Sequence, residues 1–280
     1  MTEECASPKK VHALLLNLLF RFQQLCEKGQ IDYYATGGTL LGAVRHGGFI
    51  PWDDDIDVII RREDYERLLS FFEKNMPRGY CLVSPEKNRC YYQEYPKFCY
   101  LDENGEASEI CVDIFVFDKT DIKRKFKRKI QNALKKFFYH VKRFKAKKEL
   151  TGKSASAKRA AVTFIFRFLS SVMPFGFINR CLFKIMTADK NKKSGYVTNW
   201  GSCYSFEKST FKSADVCEKS FKMPFECLEI NVPTGWKTYL EITYGKDYMT
   251  IPPKEKRVFH GVDLRGTKNV NDEEIKKFLK

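Results

Sequence analysis

The chain has 280 residues, enough for one large domain or two modest ones with a substantial core. An apolar fraction of 43% and 24 phenylalanines exclude a disordered chain, and a net charge of +15 predicts an anionic partner: nucleic acid, a phosphorylated substrate or an acidic membrane face. Ten scattered cysteines with no C-x-x-C argue against a zinc ribbon and predict small, mostly buried thiols in a reducing compartment.

Ser7-Pro8 reads as a helix N-cap and first helical residue. Val11, Leu14, Leu15, Leu18, Leu19, Phe22, Leu25 and Cys26 then recur at helical spacing, predicting an amphipathic helix over 9–28, ended by Gly29, and no secretion signal. "IDYYAT" (31–36) predicts a strand, and "GGTLLGAVRHGGF" a glycine-rich turn enclosing a short helix from Thr39. "DIDVII" predicts a strand, "REDYERLLSFFEKN" a helix stopped before Pro77, and "YCLVS", "YPKFCYL" and "EICVDIFVF" further strands. Residues 123–148 hold thirteen Lys or Arg and no acid. Phe126, Ile130, Leu134, Phe137, Val141 and Phe144 line one stripe of this predicted basic helix. A Gly/Ser/Ala/Lys turn (152–159) leads to an apolar stretch, 160–178, interrupted by Arg167, Pro174 and Gly176 and so unsuited to a span. Short strands and turns are expected from Gly195, ending in "YGKDYMTIPPKEKRVFHG".

"GGFIPWDDDIDVII" sets Asp53, Asp54, Asp55 and Asp57 before an apolar run. Crowded carboxylates repel unless something neutralises them. Strand alternation turns Asp53, Asp55 and Asp57 to one face and Asp54 to the other. Asp55 and Asp57 are thereby the candidate ligands of one divalent cation, Mg2+ or Mn2+, while Asp53 and Asp54 are read as supporting or capping groups. Gly37, Gly38 and Thr39 would bring backbone N–H groups close to phosphate oxygens. Asp113 sits within an apolar strand, where an unpaired carboxylate is costly, so it requires a cation or a hydrogen-bond partner. Such a set resembles the nucleotidyltransferase superfamily, in which three carboxylates hold metal against nucleotide phosphates.

"GGTLLGAVRHGGFIPWDDDIDV" and "YGKDYMTIPPKEKRV" followed by His260 resemble the LicD family, across residues 10–118 and 195–262. The end departs at His260-Gly261, where that family commonly shows paired histidines. The resemblance implies a fold and an activity. The fold is α+β (α/β), a nucleotidyltransferase-type mixed sheet with flanking helices. It divides into a catalytic core (1–122), a basic and apolar helical insert (123–186) and a C-terminal part (187–280) that completes the site. The activity is metal-dependent transfer of a phosphorylated alcohol from a CDP-alcohol, CDP-choline first, to a glycan or lipid-linked glycan, with release of CMP. Asp55, Asp57 and Asp113 would hold metal, Asp113 serving alternatively as general base. Arg45 would stabilise charge on the transferred group, with His46 nearby. Lys97, Lys256, Arg257 and His260 would bind substrate, and Lys254 would help close the pocket. Trp52 is either a core anchor or a stacking platform.

The insert is expected to lie on an anionic membrane surface, giving a peripheral protein on the cytoplasmic face. Nucleic acid is a weaker partner. The rival readings are a nucleotidyltransferase that leaves a nucleotide on a small molecule or RNA, and a non-catalytic binding protein. No Walker A, H-E-x-x-H or G-x-S-x-G pattern is present.

Overall fold

The computed structural model describes residues 8–88, 91–147, 157–257, 267 and 275–279. Helical spacing of the apolar residues in the first helix, α1 (Pro8–Lys28), buries Leu14, Leu15, Leu18, Leu19 and Phe22 completely. Asn17 on its buried side accepts the hydroxyls of Tyr80 and Tyr100 at 2.9 and 3.1 Å, which ties α1 to the sheet beneath it.

Strand β1 (Tyr33–Ala35) leads into α2 (Gly37–His46), then β2 (Ile56–Arg61), α3 (Arg62–Asn75), β3 (Tyr80–Val83), β4 (Lys97–Leu101) and the long β5 (Ala107–Lys119). Three helices follow, α4 (Lys125–Lys147), α5 (Ala157–Val172) and α6 (Phe175–Met186). The chain then returns through β6 (Tyr196–Asn199) and β7 (Thr210–Lys212), a single turn α7 (Ser213–Val216), the β8–β9 hairpin (Ser220–Phe225, Leu228–Pro233) and α8 (Trp236–Tyr244). The sheet runs β1-β2-β5-β4-β3, with β6 on the end of β5 and β7 beside it. Only β2 and β5 pair in parallel among the described strands. Because β6 pairs Asn199 with Phe117, residues after the helical insert complete the same sheet that the first hundred residues begin. The fold is the expected mixed α/β core with flanking helices.

Several elements differ from expectation. Helix α2 starts at Gly37, not Thr39, and takes up the whole "GGTLLGAVRH" stretch. Helix α8 was not foreseen; it buries Tyr239 and Leu240 from a segment with weak periodicity. Cys99 and Cys111, cross-strand partners on β4 and β5, are joined as a disulfide rather than left as two thiols.

The basic helix is the largest correction. Its apolar stripe is divided: Val141 and Phe144 are buried while Phe126, Ile130 and Leu134 remain exposed. Val141 forms a small core with Ile178 and Leu182 of α6, flanked by Phe137, Phe138, Phe166, Leu169 and Met173. Two lysines turn inward instead of toward an anionic partner. Lys135 pairs with Glu94 at 2.8 Å, and the buried Lys142 donates to the Gln93 carbonyl at 2.9 Å. The apolar stretch 160–178 is two helices meeting at 106°. No single helix among the described residues is long and apolar enough to cross a membrane.

Candidate active site

The site is built where β1 ends and α2 begins. The Thr36 N–H donates to the Asp57 carbonyl at 3.1 Å, and the Asp57 N–H donates to Thr39 Oγ1 at 2.7 Å, so the start of α2 is fastened to β2. Gly37 adopts φ +54, and a Cβ there would lie 2.3 Å from Asp57 Oδ2; one on Gly38 would lie 2.5 Å from Asp53 Oδ2. The two glycines thus let a helix N-terminus, with its partial positive charge, rest against two carboxylates. This corrects the expected phosphate role of this trio in part. The Gly37 N–H donates to the Tyr239 hydroxyl at 3.2 Å, and the Thr39 hydroxyl oxygen is engaged by Asp57. The Tyr239 hydroxyl also meets Thr36 Oγ1 at 2.7 Å.

Sheet register assembles the carboxylates. Asp57 pairs with Asp113 across β2 and β5, and Asp113 with Lys97 across β5 and β4, so three charged residues stand in one row. Lys97 Nζ lies 2.8 Å from Asp113 Oδ1, and the Tyr95 hydroxyl donates to Asp113 Oδ2 at 3.1 Å. The partner that a carboxylate in this apolar strand requires is therefore found within the protein. Lys97 is committed to a carboxylate rather than free for phosphate.

Burial and mutual repulsion raise the pKa values of the group, making each carboxyl a weaker acid. Burial, then Asp55, pushes Asp53 up to about 8. Asp55 is raised by burial, then Asp113 and Asp54, and Asp57 by burial, then Asp55, Asp113 and Asp53. Asp113 is raised by burial against the opposing pull of Lys97 and Tyr95. Burial alone would lower Lys97, but Asp113 and its neighbours bring it above the ordinary lysine value. Asp53, expected as a supporting residue, belongs to this interacting group; Asp54 is buried.

Such a group of hard oxygen donors, short of positive charge, fits Mg2+ or Mn2+. Among the described residues no three His, Cys, Asp or Glu side chains form a ready-made metal cage. Mg2+ typically binds through one or two carboxylates and completes its shell with water and substrate phosphate.

The basic residues flank the group. Arg45 donates to the carbonyls of Tyr248 and Thr250 at 3.0 and 3.4 Å, so its guanidinium anchors the C-terminal loop instead of facing the carboxylates. The Arg257 guanidinium lies 4.5 Å from the centre of the Trp52 ring, and its Nε donates to the Pro252 carbonyl at 2.9 Å. His46 meets the same ring edge-on at 6.2 Å. Trp52 is packed against the core, the first of its two readings, and the Arg257 guanidinium covers its ring. Lys254 and Lys256 are exposed in a short turn before Arg257. His260 lies outside the described residues. Tyr95 and Tyr239 went unnoticed in the sequence. Tyr95 lies in a bend just before β4 and Tyr239 in α8, so no local pattern ties either to the carboxylates.

A family model described as "LicD/FKTN/FKRP, nucleotidyltransferase domain" matches residues 30–163. The lipopolysaccharide cholinephosphotransferase LicD of Haemophilus influenzae is 30% identical over 255 residues, 88% of this chain and 93% of that protein. The chain belongs to the LicD family. This LicD-family protein also matches the ribitol 5-phosphate transferase FKRP of human and mouse, at 53% identity over 38 residues, 14% of this chain and 8% of each relative.

Proposed function

We propose that the protein transfers a phosphorylated alcohol from a CDP-alcohol, CDP-choline first among them, to a hydroxyl of a cell-surface glycan or its lipid-linked precursor, with release of CMP. The observation that carries this reading is the row Asp57, Asp113 and Lys97 beside Asp55, in a chain that aligns with nearly all of a cholinephosphotransferase. Asp55 and Asp57 would hold Mg2+ or Mn2+, with Asp113 in the same row. The bound ion would neutralise the carboxylates and the developing charge on the donor phosphates.

The chain's own residues do the rest. The acceptor oxygen bonds to the phosphorus that carries the alcohol, the bond from that phosphorus to the CMP oxygen breaks, and CMP leaves with the electron pair. The hydroxyl proton passes to the Asp113 carboxylate, which burial makes a stronger base than an exposed aspartate. Lys97 then limits the charge left on the row, and Tyr95 orients Asp113. The loop carrying Lys254, Lys256 and Arg257, clasped by Trp52 and Arg45, closes over the donor.

The exposed apolar residues of the insert support peripheral docking on an anionic leaflet at the cytoplasmic face, where a lipid-linked acceptor would be met. Phe164, Ile165, Phe168 and Val172 share one exposed face of α5, and Lys123, Lys125 and Lys129 surround the exposed Phe126 and Ile130.

EDTA is expected to stop CMP release from the donor, and Mg2+ or Mn2+ to restore it. Pyrophosphate together with nucleotide attached to the acceptor would hand the assignment to a nucleotidyltransferase. Activity indifferent to EDTA would overturn the metal role.

A further inference from the structure

A second feature adjoins the carboxylate row. A cavity of about 610 Å³ lies between α4, the segment 198–206 and the loop before β4, within the size range of small-molecule sites. Tyr95 lines it and also donates to Asp113, so one side chain touches both the cavity and the candidate base.

The chemistry of the cavity wall is specific. Glu94 Oε1, Trp200 Nε1 and Ser209 Oγ belong to lining residues, are buried, and have no hydrogen-bond partner within the protein. Glu94 and Trp200 are 7% and 5% exposed, and Ser209 4%. An unsatisfied buried polar atom costs about 1–3 kcal/mol, and these three belong to residues of one cavity wall, which is therefore polar beneath its surface. On the 198–206 side a guest would meet the hydroxyl side chains of Ser202 and Ser205. It must also offer a carbon face to Tyr95 and Tyr139. Lys135 already neutralises Glu94 at 2.8 Å, so the guest need carry no charge. Asn132 adds a neutral amide on the α4 side. A sugar ring has all of these properties at once.

We propose that this cavity is the acceptor subsite and holds one or two sugar units of the glycan, with the reacting hydroxyl presented past Tyr95 toward Asp113. The choice of a sugar rests on the transferase reading above. The site itself is distinct from the donor position between α2 and the C-terminal loop.

The test is saturation-transfer NMR on the full chain with the methyl glycosides of glucose, galactose and N-acetylglucosamine, repeated with CMP and Mg2+. At least one glycoside is expected to receive saturation, undisturbed by CMP. Asn132→Leu and Tyr139→Ala, both at partly exposed positions, should weaken it by about tenfold at an unchanged melting temperature, the loss of roughly one hydrogen bond or ring contact. No saturation of any glycoside, equal saturation in both variants, or displacement by CMP would overturn the subsite. Glycoside binding in a protein that fails to bind CMP would instead overturn the donor assignment and leave the subsite standing. The two failures are therefore separable.

Discussion

Lys97 Nζ and Asp113 Oδ1 meet at 2.8 Å because β4 and β5 place the two residues directly opposite each other. Lys97 ends a row whose other two charges, Asp113 and Asp57, are carboxylates. Removing the cation leaves Asp113 buried with only the Tyr95 hydroxyl. Lys97→Met should therefore lose about 3 kcal/mol, and Lys97→Met combined with Asp113→Asn should regain part of it. Urea unfolding of the singles and the double measures this. A Lys97→Met variant as stable as wild type would contradict the pairing.

Gly37 and Gly47 both hold positive φ, but only Gly37 adjoins the carboxylates. A Cβ on Gly47 meets nothing within 4 Å, whereas one on Gly37 would lie 2.3 Å from Asp57 Oδ2. Gly47→Ala should lose about 1 kcal/mol from backbone strain alone and retain turnover. Gly37→Ala should lose more stability and most of its turnover. Equal effects in melting and rate measurements would remove Gly37 from the site.

Lys142 sets a pH dependence. Burial lowers its ammonium from 10.5 to about 8, against attraction from Glu94 and Glu86. The unfolded chain thus binds more protons than the folded one between about pH 8 and 10, so this group's contribution to stability rises with pH through that window and its penalty is full below it. Lys142→Met should be more stable than wild type at pH 7 by about 1–3 kcal/mol, with the gain shrinking toward pH 10. Paired urea titrations at both pH values check the sign. A methionine variant less stable at pH 7 would contradict it.

Phe164 and Phe168 are 71% and 60% exposed, so replacing them should not disturb the α4–α6 core. Phe164→Ser with Phe168→Ser should weaken sedimentation with anionic vesicles by tenfold or more, from the apolar area each ring would bury. High salt should remove only the remaining, lysine-dependent part. Unchanged sedimentation would end the docking role.

Much of this was legible in the chain. Alternation sets Asp55 and Asp57 on one side of the chain, and the structure brings both near enough to Asp113 to feel its charge; the apolar strand around Asp113 requires a partner for it. Which partner it took depended on β4–β5 register, a long-range relation no local pattern encodes. Charge counting treats every lysine of the basic helix as solvated, and only the docked geometry shows Lys135 and Lys142 turned inward. Local pattern likewise offers Arg45 as a phosphate ligand and cannot show the carbonyls of Tyr248 and Thr250, distant in sequence, that its guanidinium meets. The glycines of "TGGT" suggest a close approach of backbone to phosphate, but the groups that crowd them are the protein's own aspartates.

The most direct measurement follows the phosphorus. With CDP-choline, Mg2+ and a glycan acceptor, phosphorus NMR should show the diphosphate signals replaced by CMP and one new phosphodiester, dependent on both protein and glycan. Asp57→Asn, which relieves repulsion on a half-buried carboxylate and so should fold at least as well as wild type, should slow that conversion by a factor of about a hundred or more. Near-wild-type conversion by Asp57→Asn, or a product that retains the nucleotide on the glycan, would contradict the account.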